Sequence, residues 1–312
     1  MKTWFLVAIL ITTVLVGACA APAGPAVGAL PTSTSWAEVA ATEAPVAEKE
    51  GGETPAVCAS LREKHGSTGK TVRVGMTPTS PGYGTLDPKD SSNALGVDAD
   101  MVAAISDCLG MNYKYEFLDF GGLITALQGG RIDIIYSGMY ATPARAEQVN
   151  FIVYQKAFTG SVVQKGTAAK FASINDVCGA KASTVTGTVE AEQLLQFSDK
   201  CVADGKGAIE ILTFKDNDAA ARAVQTKRAD IFMSDAGMCG GLQRQFPDAL
   251  DLGFSIASDF RFGVGLRKDD KVMTDALLDT MKALQEEGLH SKFLESWGFG
   301  AAASIPVELV TN

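Results

Sequence analysis

Thr142-Pro143-Ala144-Arg145 puts a guanidinium at the third position of a helix start, behind a threonine N-cap and a proline at the favoured first position. An acid is the usual occupant there, because it completes a capping box and faces the positive end of the helix dipole. An exposed arginine in its place costs about 0.3–1 kcal/mol. A bound anion would give it a reason. Free backbone N–H groups at a helix start and a planar guanidinium form a carboxylate receptor with bidentate geometry. The plainer alternative is an arginine reaching out to solvent or to a nearby acid.

A second charged group stands at a matching place. Residues 127–138 align without gaps on residues 224–235, with Gln, Arg, Asp, Ile and Ser identical at five of twelve positions. Each copy reads as a helix end, a basic turn and a buried strand, so two similar α/β lobes are expected. In open α/β sheets ligands bind beyond the carboxyl ends of the strands. Those ends are Ser137-Gly138-Met139-Tyr140 in one copy and Ser234-Asp235 in the other. By itself Asp235 reads as an N-cap for the helix that follows. Taken with Arg145, it makes a guanidinium on one wall and a carboxylate on the other. That pair matches a zwitterion carrying an α-carboxylate and an α-ammonium group.

The elements that must hold these residues follow from periodicity. A short strand spans 72–76, and residues 78–92 are rich in turn formers. Asp98 or Asp100 can cap a helix in which Met101, Ile105, Cys108 and Leu109 recur at helical spacing, and Gly110 stops it. A strand over 113–117, a helix over Leu123–Gln128 and a buried strand over 132–136 complete the first series. Strands alternating with helices predict a mostly parallel sheet.

With these pieces in order, the chain resembles the extracellular solute-binding proteins of family 3, the substrate receptors of polar amino-acid ABC importers. Gly96-Val-Asp-Ala-Asp-Met is similar to that family's Gly-Phe-Asp-Val-Asp-Leu helix entry, with Val97 and Ala99 departing from it. The strongest matches are Leu123-Ile-Thr-Ala-Leu-Gln-Gly-Gly-Arg-Ile-Asp and Gly138-Met-Tyr-Ala-Thr-Pro-Ala-Arg145-Ala-Glu-Gln-Val-Asn-Phe151. Gly187-Thr188, Arg228-Ala-Asp-Ile-Phe-Met-Ser-Asp235 and Phe262-Gly-Val-Gly-Leu-Arg267-Lys follow in the second lobe. The resemblance implies an α/β fold of two Rossmann-like lobes joined by two crossover strands, the type II periplasmic binding protein-like architecture. It divides the chain into lobe 1 (58–156 plus 268–300), lobe 2 (157–267) and a tail (301–312).

It also implies that Arg145 holds the ligand carboxylate, that the backbone at Gly138, Tyr140 and Thr188 assists, and that Asp235 holds the ammonium. Tyr83 and Phe120 fall where apolar walls are common. Ser80, Tyr140 and Val189 depart from the family's usual residues, so the side-chain pocket is rebuilt. With aromatics at 83, 120 and 140 and no evident extra charge, an uncharged ligand side chain is expected. The implied function is to bind a free amino acid between closing lobes, as a monomer, and deliver it to the membrane permease of an ABC importer. The rivals are a lyase on the same scaffold, similar to cyclohexadienyl dehydratase, and a ligand-sensing receptor module. Catalysis needs an acid or base of tuned pKa, and no such carboxylate stands out in the sequence. A sensor usually continues into a membrane span, which the stretch ending at Asn312 lacks.

Composition agrees with an exported globular chain. Of 312 residues, 46% are hydrophobic and 20% charged, and 27 Lys and Arg against 36 Asp and Glu leave a net charge of −9. That balance disfavours nucleic acid, whose binding needs a basic surface. No cofactor is called for. The two histidines, His65 and His290, form no local metal motif. The Gly69-Lys70-Thr71 and Ser67-Thr-Gly-Lys70 runs lack the partners that a phosphate loop or a serine acylase needs.

Residues 1–18 have the charged start and short apolar run of a signal peptide. Val16-Gly17-Ala18-Cys19 resembles a lipobox, in which Cys19 is acylated and anchors the chain to a membrane at the periplasm or cell surface. Ala18-Cys19-Ala20 also fits an ordinary cleavage site. Residues 19–57, poor in large apolar side chains, read as a disordered tether. Among the remaining cysteines, Cys178 with Cys201 is the favoured disulfide and Cys58 with Cys108 the second, leaving Cys239 odd.

Overall fold

The computed structural model describes residues 33–34, 54–66, 71–300 and 303–311. The signal peptide and Cys19 lie outside the described residues, as do Gly69 and Lys70. The chain begins with β1 (Ser33–Thr34), α1 (Val57–His65), β2 (Thr71–Met76), β3 (Thr79–Ser80), β4 (Gly84–Asp87) and β5 (Asp90–Leu95). It continues through α2 (Val97–Leu109), β6 (Asn112–Phe117), α3 (Leu123–Gln128), β7 (Ile134–Ile135), α4 (Pro143–Ala146) and β8 (Asn150–Lys156). The middle stretch holds β9 (Thr159–Gln164), β10 (Lys181–Val185), α5 (Val189–Ala203), β11 (Glu210–Phe214), α6 (Asn217–Gln225) and β12 (Ile231–Asp235). Then come α7 (Ala236–Gln245), β13 (Leu250–Ile256), β14 (Arg261–Leu266), α8 (Lys271–Glu286), α9 (Leu289–Ser296) and β15 (Ser304–Val310).

Two six-stranded sheets organise these elements, in the orders β15-β8-β14-β7-β2-β6 and β1-β13-β9-β12-β10-β11. Position by position they share one plan: β2 and β10 correspond, as do β7 and β12. The sequence repeat lies at the heart of each plan. Asp133 accepts the backbone N–H of Arg73 on β2 at 2.9 Å, and its aligned partner Asp230 accepts that of Lys181 on β10 at 2.8 Å. Each aspartate therefore ties the turn before its strand to the neighbouring parallel strand. The turns themselves match too. Gly130 has φ +67° and the aligned Lys227 has φ +61°.

A lysine in the left-handed region pays a steric penalty that glycine avoids, partly offset by glycine's greater freedom when unfolded. Lys227→Gly is therefore expected to stabilise the protein by about 0.5–1 kcal/mol, read as a higher denaturation midpoint at unchanged slope. An unchanged midpoint would mean that the lysine's backbone is not strained.

The chain crosses between the sheets twice. β8 leaves the first sheet, residues 157–158 cross, and β9 enters the second; β13 then returns through residues 257–260 to β14. The two crossings touch, with the Ala157 N–H donating to the Phe260 carbonyl at 2.9 Å and the Ser258 hydroxyl to the Ala157 carbonyl at 2.7 Å. The expected boundary after residue 267 therefore moves. β14 pairs with β7 and β8 and belongs to lobe one, because parallel-sheet alternation marks a strand without saying which sheet it joins.

Other expectations are corrected alongside it. The segment expected to be a tail supplies β15, paired antiparallel with β8. Ser33 and Thr34, expected within the tether, pair antiparallel with Ile256 and Ser255 of β13, respectively. The turn-rich stretch after residue 78 folds into the antiparallel meander β3-β4-β5. The strand expected over 132–136 keeps ladder pairing only at Ile134 and Ile135.

Helix faces fill the cores in the usual way. On α8, Ala276, Leu277, Thr280, Met281 and Leu284 recur at three- and four-residue spacing and are buried; in lobe two Leu194 and Phe197 of α5 pack with Ile231 and Met233. Disulfides join Cys58 to Cys108, fixing α1 on α2, and Cys178 to Cys201, fixing the turn before β10 to α5. Cys239 is a buried free thiol in α7.

Candidate functional site

Between the lobes lies a cavity open to solvent at its mouth and lined by residues of both. Arg145, Asp235, Gly138, Tyr140, Thr188, Phe120 and Tyr83 all line it. Arg145 comes from lobe one, on α4, where the Thr142 hydroxyl oxygen accepts its backbone N–H at 3.3 Å as an N-cap should. One guanidinium nitrogen donates to the Tyr140 carbonyl at 2.9 Å and the other terminal nitrogen to the Gly187 carbonyl of lobe two at 3.0 Å. The group stands over the Phe120 ring at 5.5 Å from its centre. Phe120 is thus a platform for the guanidinium as well as a wall. A guanidinium has five N–H donors, so three remain beyond the two carbonyls for another acceptor. Burial pulls its pKa down, while Glu190, Glu192 and Tyr140 act the other way.

Asp235 ends β12 in lobe two and caps α7, accepting the N–H groups of Gly237 at 2.8 Å and Met238 at 3.1 Å. Its plain role as a cap is therefore real, and it does more. Tyr83 of lobe one donates its hydroxyl to the same Asp235 oxygen at 2.8 Å, so the cap is also a contact between lobes. Tyr83, expected to be an apolar wall, works here through its polar tip. Its ring rests on Phe262 and Phe299, with centroids 4.9 and 4.7 Å apart. Gln155, on the crossing strand β8, donates to the Tyr83 hydroxyl at 3.4 Å. Burial raises the Asp235 pKa to about 6 against the pull of Tyr83 and of backbone N–H groups at Met238, Gly237 and Phe158.

One further acid is buried in the cavity, and nothing in the sequence singles it out. Glu190, in the first turn of α5, accepts the Tyr140 hydroxyl at 2.8 Å, and that hydroxyl lies 3.4 Å from Oδ2 of Asp235. Burial raises its pKa to about 7, opposed by its own backbone N–H and by Tyr140. This corrects two expectations together: the pocket holds an extra ionisable group, and that group is a carboxyl whose pKa burial shifts upward. An acid in a helix's first turn is so ordinary that its type and position carry no signal.

A raised pKa means that the folded protein favours protonated Glu190. The associated stability is full below the ordinary carboxylate range and is lost as pH rises through about 7. Glu190→Gln is accordingly expected to raise the melting temperature by a few degrees at pH 8 and to change it little at pH 4.5. Equal shifts at both values would place the residue in a hydrated setting.

The remaining expected residues divide. Gly138, with φ +52°, stays in the lining, but its N–H already donates to buried Asp98 at 2.7 Å, leaving its carbonyl side for a ligand. Asp98 also accepts the Tyr154 hydroxyl at 2.9 Å, so it braces the cavity floor instead of capping α2, whose N-cap is Gly96. Thr188 caps α5, accepting the Ala191 N–H at 3.3 Å, and so aims that helix's N-terminus at the cavity. Ser80 and Asn217 meet across the opening at 3.1 Å.

The fold and cleft define a two-lobed binding protein of the type II periplasmic kind. The chain belongs to the bacterial extracellular solute-binding proteins, family 3, whose model matches residues 72–301. It is similar to the arginine-binding extracellular protein ArtP of Bacillus subtilis, at 28% identity over 71% of this chain and 85% of that one. An ancestral arginine-binding protein, solved with glutamine and with arginine, is 27% and 26% identical with TM-scores of 0.65 and 0.66. The match covers 73% of this chain and 97% of that one in both cases. The ancestral amino acid-binding protein AncCDT-1, a precursor of cyclohexadienyl dehydratase, shares the fold at 23% identity and a TM-score of 0.64. That alignment covers 78% of this chain and 100% of that one. Among the described residues no helix is long and apolar enough to cross a membrane.

Proposed function

We propose that this protein binds a free amino acid in the cleft and delivers it to the membrane permease of an ABC importer. The observation that carries the reading is that Arg145 of lobe one and Asp235 of lobe two line one cavity. A ligand carboxylate on Arg145 and an ammonium on Asp235 would bridge the lobes, so that binding and closure are one event. The relatives named for arginine binding, and the ancestral protein solved with arginine and glutamine, support an amino-acid ligand. The Gly138 carbonyl would accept from the ligand ammonium, and backbone groups at Tyr140 and Thr188 would complete the carboxylate side. Acylated Cys19 would hold the monomer at the membrane by its tether.

A second reading rests on Glu190. A buried acid with a pKa near 7 is suited to proton transfer, as a lyase would require. A thermal-shift screen against the free amino acids, paired with turnover assays on prephenate-type substrates, separates the two. The receptor reading expects a rise in melting temperature with one or more amino acids and no product. Product formation lost in Glu190→Gln would establish the lyase instead, and no shift with any amino acid would end the receptor reading.

A further inference from the structure

Besides two tyrosines, three ionisable side chains face the cavity, Arg145, Glu190 and Asp235, and among the described residues none of these three is ion-paired with another protein side chain. Arg145 is held by two carbonyls and an aromatic face, Asp235 by tyrosine hydroxyls and backbone N–H groups, and Glu190 by the Tyr140 hydroxyl. A zwitterion brings one negative and one positive group. Its carboxylate answers Arg145 and its ammonium answers one acid, which leaves a second buried carboxylate without a cation.

We propose that Glu190 sets ligand class, favouring amino acids that carry a second positive charge on the side chain. This rests on the amino-acid reading above. Glu190 and Asp235 lie 2.8 and 3.4 Å from one hydroxyl, so their nearest oxygens are no more than about 6 Å apart. Two like charges at that separation in a buried site repel, and a ligand with two cationic groups relieves both. The groups that face Glu190 are accounted for. Tyr140 is a neutral donor, Asp235 is the like charge, and Arg145, though close enough to act on it electrostatically, is not within ion-pair distance. Among the described residues no side chain does what a ligand cation would do there.

Isosteric ligand pairs test this by calorimetry on the mature chain at pH 8. Arginine against citrulline, and 2,4-diaminobutyrate against homoserine, remove the side-chain charge while nearly keeping shape. Wild type is expected to favour the charged member of at least one pair by about 10- to 100-fold. Glu190→Gln, which keeps an acceptor for Tyr140, should bring that ratio below about 3-fold, chiefly through lost affinity for the charged member. No preference in either wild-type pair overturns the proposal without needing the variant to fold, and so does a preference that survives in Glu190→Gln. Tight binding of only uncharged amino acids also overturns it, with the amino-acid reading intact; if no free amino acid binds, both readings fall together.

Discussion

Arg145→Ala is expected to weaken amino-acid binding by about 2–5 kcal/mol, measured by calorimetry against the ligand that gives the largest thermal shift. The size follows from what would remain. A ligand carboxylate in the closed cleft would lose its cation, and the Tyr140 and Gly187 carbonyls would lose the donors that now satisfy them at 2.9 and 3.0 Å. Phe120 would keep its place but face no charge. Lysine is not an adequate substitute, since an ammonium cannot span the two carbonyls and still present a planar fork. Arg145→Lys should therefore recover only part of the loss. Wild-type affinity in the alanine variant would remove this residue from the site.

The second large effect lies outside the charged groups. α7 carries glycines at 237 and 241, one turn apart, on the face that meets lobe one. A Cβ on Gly237 would lie 2.3 Å from the Phe299 ring and 2.7 Å from the Tyr83 hydroxyl. On Gly241 it would lie 2.9 Å from both the Cβ and the carbonyl oxygen of Pro81. The contacts with Phe299, Tyr83 and Pro81 cross between the lobes, so an alanine at either site acts as a wedge against closure; at Gly237 the added carbon would also lie 3.1 Å from Oδ1 of Asp235 in its own lobe. Overpacking of this kind costs about 1–3 kcal/mol per site. The double variant Gly237→Ala with Gly241→Ala is expected to lose at least about 30-fold in affinity. Its far-ultraviolet spectrum should stay wild-type, and its scattering radius should no longer contract on adding ligand. Undiminished contraction would show that the seam tolerates side chains.

What the sequence makes legible here is what repeats or breaks a rule. The twelve-residue repeat exposed two lobes because the same backbone tie needs the same side chain in each copy, the aspartates that receive the β2 and β10 backbones, even where the turn's left-handed position is Gly130 in one and Lys227 in the other. Arg145 could be noticed because it stands where an acid belongs. Glu190 could not, since it stands where an acid belongs and its burial is a property of the other lobe. The hydroxyl roles of Tyr83 and Tyr140 were hidden for the same reason: their partners are 152, 50 and 95 residues away. Strand neighbours were equally opaque. Alternation of apolar residues told that 261–266 is a strand, while its place beside β7 and β8 depends on where the chain turns back.

That placement bears on the order of assembly. β14 is threaded between β8 and β7, yet the whole of β9 through β13 is made before it. As the chain emerges from its amino end, lobe two acquires its central strands in one uninterrupted run. Lobe one must wait with an unfilled slot in its sheet until residues 261–266 arrive. Such long-range pairing is slow and leaves strand edges bare in the meantime. The late strand thus fills the gap between β8 and β7 and brings the second crossing against the first, leaving only the edge strand β15 to add to that sheet.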